Sequence, residues 1–235
     1  MRAITSCCHG DQRYERYADR LERTLRDHGY HGAIKIWRDS WPPGSPEHKA
    51  RHYAFKWYAA EHARAKMGAT RILWLDAAVK VVGPLDAVWL HLEEYGVYVM
   101  AGHEPLGEWV SDQALGHFNV GRDAAMGLSL CAGVIVGVNL DHEKGAAFFE
   151  KWGELARTRL FMSAHSPQSP NSMRSLWIED GTDYGDPVVA ATDPRVKGHR
   201  SDEACFSLIL NSIGSEPVNM GEWHKVMQSG YDNFP

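Results

Sequence analysis

Cysteine is scarce in this 235-residue chain: Cys7, Cys8, Cys131 and Cys205 are all there is. Four scattered thiols make no disulfide framework, and the adjacent pair Cys7 and Cys8 lacks metal-ligand spacing, so buried free thiols in a reducing compartment are expected. Long apolar runs are missing too. None approaches the ~18 residues of a membrane span. The opening MRAITSCCHG lacks the basic-then-apolar layout of a signal peptide, and a cytoplasmic protein with no membrane span is the expectation. Positive charge is in deficit: 25 Lys and Arg against 30 Asp and Glu give a net charge of -5, with no long basic run. That speaks against sequence-independent nucleic-acid binding and against charge-driven membrane attachment. Internal repeats and low-complexity tracts are also lacking.

What is present reads as a soluble globular chain with 44% hydrophobic and 23% charged residues, long enough to bury a core without staples. Thirteen His and nine Trp are many for this length; such rings can stack on a sugar or base, but most are expected in the core. Ala3–Cys7 has the composition of a buried strand. Asp11 to His28 follows with helical spacing of Tyr14, Tyr17, Ala18, Leu21 and Leu25, and Gly29 stands at the C-cap position. Ala33–Trp37 alternates as a strand. Ser45-Pro46-Glu47 offers a capping hydroxyl, a first-turn proline and an acid, which predicts a helix from there to Met67, ended by Gly68. Arg71–Asp76 (RILWLD) is a strand apolar on both faces. Val97–Ala101 and Leu130–Val138 are further strands, Asp141 to Leu160 a helix, Val188–Ala191 a strand, and Asp202 to Asn211 a helix capped by Ser201. Strand alternating with helix predicts an α/β fold with a mainly parallel sheet in one domain spanning residues 1–235. Residues 161–186 lack a period and suggest a lid or acceptor loop. Residues 212–235 read as an irregular tail.

The segment RILWLDAAVKVVGPLD, Arg71 to Asp86, is the most informative. It puts Asp76 at the carboxyl end of a central strand, where open α/β sheets bind ligands. An aspartate there also serves simply as a turn or cap residue. Likewise Asp202 and Glu203 are ordinary residues for a helix N-terminus. Lys49 and Lys56, seven apart, share one helix face that can be either functional or solvated.

The segment resembles the motif region of nucleotide-sugar glycosyltransferases of the GT-A fold, a Rossmann-like α/β fold, and most of all the group of glycogenin and the bacterial lipopolysaccharide sugar transferases. In that family a hydrophobic strand ends in Asp-x-Asp, and the Gly83-Pro84-Leu85-Asp86 turn has its counterpart. Three stretches match in the same order: Lys49–Lys56 (KARHYAFK), Cys131–Asn139 (CAGVIVGVN) and Gly198–Phe206 (GHRSDEACF). The resemblance as a whole spans about residues 3 to 211. The resemblance implies a donor site for a nucleotide-sugar, UDP-linked first of all, drawn from Thr5, Ser6, Tyr14, Lys49, Lys56, Asp76, Ala77, Ala78, Cys131, Gly133 and Arg200. It implies catalytic carboxylates at Asp202 and Glu203, and a divalent metal (Mn²⁺ or Mg²⁺) held by Asp76 and His224.

The chain departs from the family in two places. Ala78 stands where the second motif aspartate belongs, and its side chain offers no oxygen to a hard cation. Cys131 stands where the family often has Asn. A metal held through other ligands, a metal-free site with Lys or Arg beside the leaving diphosphate, and an inactive relative all remain open on the sequence. The expected activity is transfer of a sugar from a nucleotide-diphosphate sugar to an acceptor that the sequence does not identify: a glycan, a lipid-linked glycan, a protein or a modified nucleic-acid base. The alternative is a non-catalytic nucleotide- or glycan-binding relative. A nucleotidyltransferase fits less well, because CCHGDQR after the first strand makes a poor phosphate loop.

Overall fold

The computed structural model describes residues 1–9, 12–48, 50–157, 191–219, 221 and 226–229. Lys49, His224, the segment 161–186, all of the expected 188–191 strand but its last residue, and the end of the tail lie outside them.

The chain begins β1 (Arg2–Cys7), α1 (Gln12–Asp27), β2 (Ala33–Trp37), α2 (Phe55–Met67), β3 (Arg71–Leu75) and β4 (Val79–Val81). It continues α3 (Asp86–Tyr95), β5 (Val97–Pro105), α4 (Asp112–His117), α5 (Arg122–Met126), β6 (Ser129–Asn139), α6 (Glu143–Ala156), α7 (Ser201–Ser212) and β7 (Met227–Ser229). The main sheet has five strands in the order β2-β1-β3-β6-β5. β2, β1 and β3 pair in parallel, and β6 runs antiparallel to both β3 and β5. The expected α/β class with a mainly parallel sheet is therefore observed, one strand of the five being reversed.

The sheet is covered on both faces, as the unbroken apolar sequence of β3 requires. Ile72 and Trp74 face a core shared with α2, α6 and α7. Leu73 and Leu75 face one shared with α1, α3 and β4. The chain passes from β1 out to β2, then back across to β3 on the other side of β1. The carboxyl ends of β1 and β3 thus form the switch point at which such sheets leave a crevice.

Three local expectations need correction. The helix predicted from Ser45 starts at Phe55. Ser45 Oγ donates to the carbonyl of Pro46 instead of capping, and Tyr53 at φ 59° turns the backbone just before the helix. Ser201 lies within α7, and Arg200 is the N-cap with no side-chain cap bond. The tail is not wholly irregular, since β7 pairs antiparallel with β4. Gly29 and Gly68 take the left-handed conformation expected of them (φ 82° and 68°).

Candidate active site

The cluster grows from the end of β3. Side chains alternate along a strand, so Trp74 and Asp76 share a face, and Trp74 Nε1 donates to Asp76 Oδ1 at 2.7 Å. The β3–β6 register pairs Leu75 with Ile135. It continues through Asp76 N–H to the carbonyl of Val134 (2.9 Å), which brings Gly133 next to the aspartate. Lys56, in the first turn of α2, enters from one side. Asp202, in the first turn of α7, enters from the other.

Lys56 is the centre of the arrangement. Its side chain is 2% exposed. Nζ donates to Asp202 Oδ2 (2.7 Å) and to the Gly133 carbonyl (2.7 Å), and lies 3.2 Å from Asp76 Oδ1. Two of the ammonium hydrogens are thus donated to Asp202 and Gly133, and Asp76 completes an ion pair. Burial opposes the charge on Lys56, but the Asp202 and Asp76 carboxylates outweigh it and hold its pKa above the ordinary lysine value. The rings of Tyr53 (4.8 Å) and Trp74 (5.9 Å) close over the cation.

Glu203 occupies the open side. Its side chain is 26% exposed. Oε1 accepts from Gly133 N–H (3.4 Å), and Oε2 faces Arg200 at 3.4 Å. Burial and the neighbouring Asp202 charge push the Glu203 carboxyl up to about 7, against the pull of Arg200. Arg200, 36% exposed, also pairs with Glu104 at 2.9 Å and lies over the Trp109 ring at 4.3 Å.

Of the residues picked from the sequence, the fold gathers Lys56, Asp76, Gly133, Arg200, Asp202 and Glu203. The bland alternative of a solvated Lys56 face is excluded by its burial. Gly133 is required where it stands: a Cβ there would sit 2.7 Å from Asp202 Oδ2. The remaining residues are placed otherwise. Thr5 and Ser6 are fully buried in β1, and among the described residues neither hydroxyl has a hydrogen-bond partner. Tyr14 packs with Tyr17, Cys8, Ala18 and Ala77 on the α1 side. Cys131 is buried beside α7; its N–H donates to Ser207 Oγ at 2.8 Å, and burial pushes its thiol up to about 12. His199 is a packing histidine whose Nδ1 accepts from Ser111 N–H (3.2 Å).

Trp74, Tyr53, Glu104 and Trp109 are site residues that the sequence reading missed. Trp74 was within reach, because strand alternation puts it on the side of Asp76. Tyr53, Glu104 and Trp109 gave no such signal.

The described residues around Asp76 do not fit a divalent ion. Asp76 Oδ1 is held by Trp74 and Lys56. Ala78 is buried, and its carbonyl takes Arg20 Nη2 at 2.7 Å. A cation at Asp76 would meet the Lys56 ammonium, and like charges this close in a low-dielectric site repel strongly. Among the described residues, no group of three or more His, Cys, Asp or Glu side chains is arranged to hold a metal. Nor is any described helix long and apolar enough to cross a membrane.

No protein-family model matches the chain, and no curated protein matches it by sequence. It is similar to several solved structures. One is a glycosyltransferase involved in the glycosylation of the major capsid of PBCV-1, at 17% identity and TM-score 0.42 over 67% of this chain and 66% of that one. Another is mouse xyloside xylosyltransferase 1, at 9% identity and TM-score 0.44 over 93% and 85%. A third is the galactosyltransferase LgtC with donor and acceptor sugar analogs, at 14% identity and TM-score 0.34 over 95% and 99%. The chain spans just under two thirds of the first of these (66%). All three are glycosyltransferases.

Proposed function

We propose that this protein is a glycosyltransferase that takes a sugar from a nucleotide-diphosphate sugar, a UDP-sugar first of all, and passes it to a hydroxyl or similar acceptor. The supporting observation is the gathering of Asp76 and Asp202 around one buried ammonium at the sheet's switch point, with Glu203 on the neighbouring Gly133 N–H. Fixed carboxylates in a recessed site suit a reaction that passes through an oxocarbenium-like state, as glycoside cleavage does. The bond from the anomeric carbon to the diphosphate oxygen breaks, and its electron pair leaves with the diphosphate. A bond from the acceptor oxygen to that carbon forms.

In an inverting transfer the acceptor proton passes to Glu203. Its carboxyl is the reachable one of the α7 pair, and a pKa pushed to about 7 by burial suits a base working near neutrality. Asp202, buried and bonded to Lys56, holds the geometry and takes no proton. Asp76, 20% exposed, keeps an edge toward the crevice, where it accepts from donor hydroxyls. Arg200 is the half-buried cation beside Glu203 and Glu104 that faces the negative charge growing on the leaving diphosphate.

The test is calorimetric titration with UDP, GDP, CDP and ADP, followed by assay of sugar release from the donor whose nucleotide binds. One nucleotide should bind selectively, more weakly to Asp76→Asn. Binding of none of the four would overturn the transferase reading in favour of a non-catalytic glycan-binding relative.

A further inference from the structure

The centre of the carboxylate cluster gathers oxygens around one cation. Gly133 O, Asp202 Oδ2 and Asp76 Oδ1 converge on a single point at 2.7, 2.7 and 3.2 Å, and Glu203 Oε1 accepts from the Gly133 N–H alongside. Two carboxylates, a carbonyl and a third carboxylate alongside are the donor types that calcium, magnesium and manganese select. That point is filled by the Lys56 ammonium. It hydrogen-bonds two of the three oxygens and pairs with the third carboxylate by charge, and two aromatic rings lie over it. Ala78 adds no fourth side-chain oxygen. The lysine cannot turn to a phosphate without leaving the buried Asp202 carboxylate without its ion pair, which is costly.

We propose that Lys56 is the resident cation of this cradle, a covalently tethered ammonium in the place a divalent ion would take, so that the site is assembled without metal. Lys56 is a positioning residue: it offsets one of the two negative charges of Asp76 and Asp202 and holds both carboxylates beside Gly133. The inference rests on the geometry of the cluster and holds whether or not the site transfers a sugar.

The probe is Mn²⁺ alone, titrated into the nucleotide-free protein and followed by calorimetry and thermal melting. Wild type and Asp76→Asn should give the same Mn²⁺ isotherm, because Asp76 contributes to no metal site while Lys56 is present. Lys56→Met should melt lower than wild type and gain an Mn²⁺ site. A tenfold excess of Mn²⁺ over its Kd should then raise its Tm by about 4 °C. The double variant Lys56→Met with Asp202→Asn should lose most of that rise. Mn²⁺ binding by wild type that disappears in Asp76→Asn would overturn the proposal, as would a folded Lys56→Met that Mn²⁺ stabilises no more than wild type. Where Lys56→Met yields no folded protein, the comparison of wild type with Asp76→Asn decides. Failure of the transferase reading would show separately, as an absence of nucleotide binding with these Mn²⁺ results unchanged.

Discussion

Replacing Gly133 by alanine adds one methyl at the tightest point of the cluster. The new Cβ would lie 2.7 Å from Asp202 Oδ2, 3.1 Å from its Cγ and 3.2 Å from Oδ1. Ordinary contact begins at 3.4 Å, so Oδ2 must retreat by 0.7 Å (3.4 minus 2.7). Asp202 has little slack, since its side chain is short, buried and bonded to Lys56 at 2.7 Å. Lys56 is itself tied to the carbonyl of the same Gly133. Overpacking of this kind costs about 1–3 kcal/mol. Breaking a buried ion pair outright costs about 3–5 kcal/mol, of which a stretched pair loses a part. The expected loss is about 2–4 kcal/mol, or roughly 5–15 °C in Tm for a chain of this size. Urea and thermal unfolding measure it. Gly116→Ala is the control: it lies in α4, and a Cβ there meets nothing within 4 Å, so it should match wild type or exceed it by up to about 1 kcal/mol. A Gly133→Ala protein within about 0.5 kcal/mol of wild type would refute the claim that Asp202 is held at this spot.

Asp76→Asn keeps the shape but removes the charge at the crevice edge; donor turnover should fall at least ~100-fold, as when a preorganised electrostatic group is lost, and near-normal turnover would contradict the site. Glu203 has a folded-state pKa raised by burial to about 7 from 4.5, so its contribution to stability is complete below about 4.5 and is lost as pH rises to about 7. Wild type should therefore lose stability relative to Glu203→Gln across that window, and parallel urea profiles would refute the shift. His52 is depressed by burial to about 4, so protonation favours the unfolded chain as pH falls from about 6.5 to about 4. His52→Phe should gain on wild type over that interval in acid-unfolding curves; equal slopes would show that His52 does not remain neutral.

Much of the fold was legible in sequence because its signals are local. Hydrophobic period gave α1, β2, β3 and β6 to within about two residues, and Gly29 and Gly68 closed their helices where backbone freedom is needed. A strand apolar on both faces required a covered sheet, and an aspartate at its carboxyl end marked the crevice. The start of α2 was misread for an instructive reason. Ser45-Pro46-Glu47 has the chemistry of a helix cap, but Trp41, His48 and Tyr53 pack with Phe55 in an aromatic cluster. That side-chain packing, together with the left-handed turn at Tyr53, accompanies a helix that begins only at Phe55.

By itself the sequence determined the α/β class, the run of elements through β3, and the candidate carboxylates Asp76, Asp202 and Glu203. The tertiary structure alone decided that β6 runs antiparallel, that the tail returns as β7 beside β4, and that Lys56 is buried between aspartates on separate elements. Lys56 and Asp202 stand 146 residues apart and meet at 2.7 Å. A lysine's burial is a property of the pair, since an ammonium leaves water only where oxygens converge to receive it. Local pattern marks which face of a helix is apolar; which charges wait opposite that face is fixed only when the sheet brings distant strands and helices together.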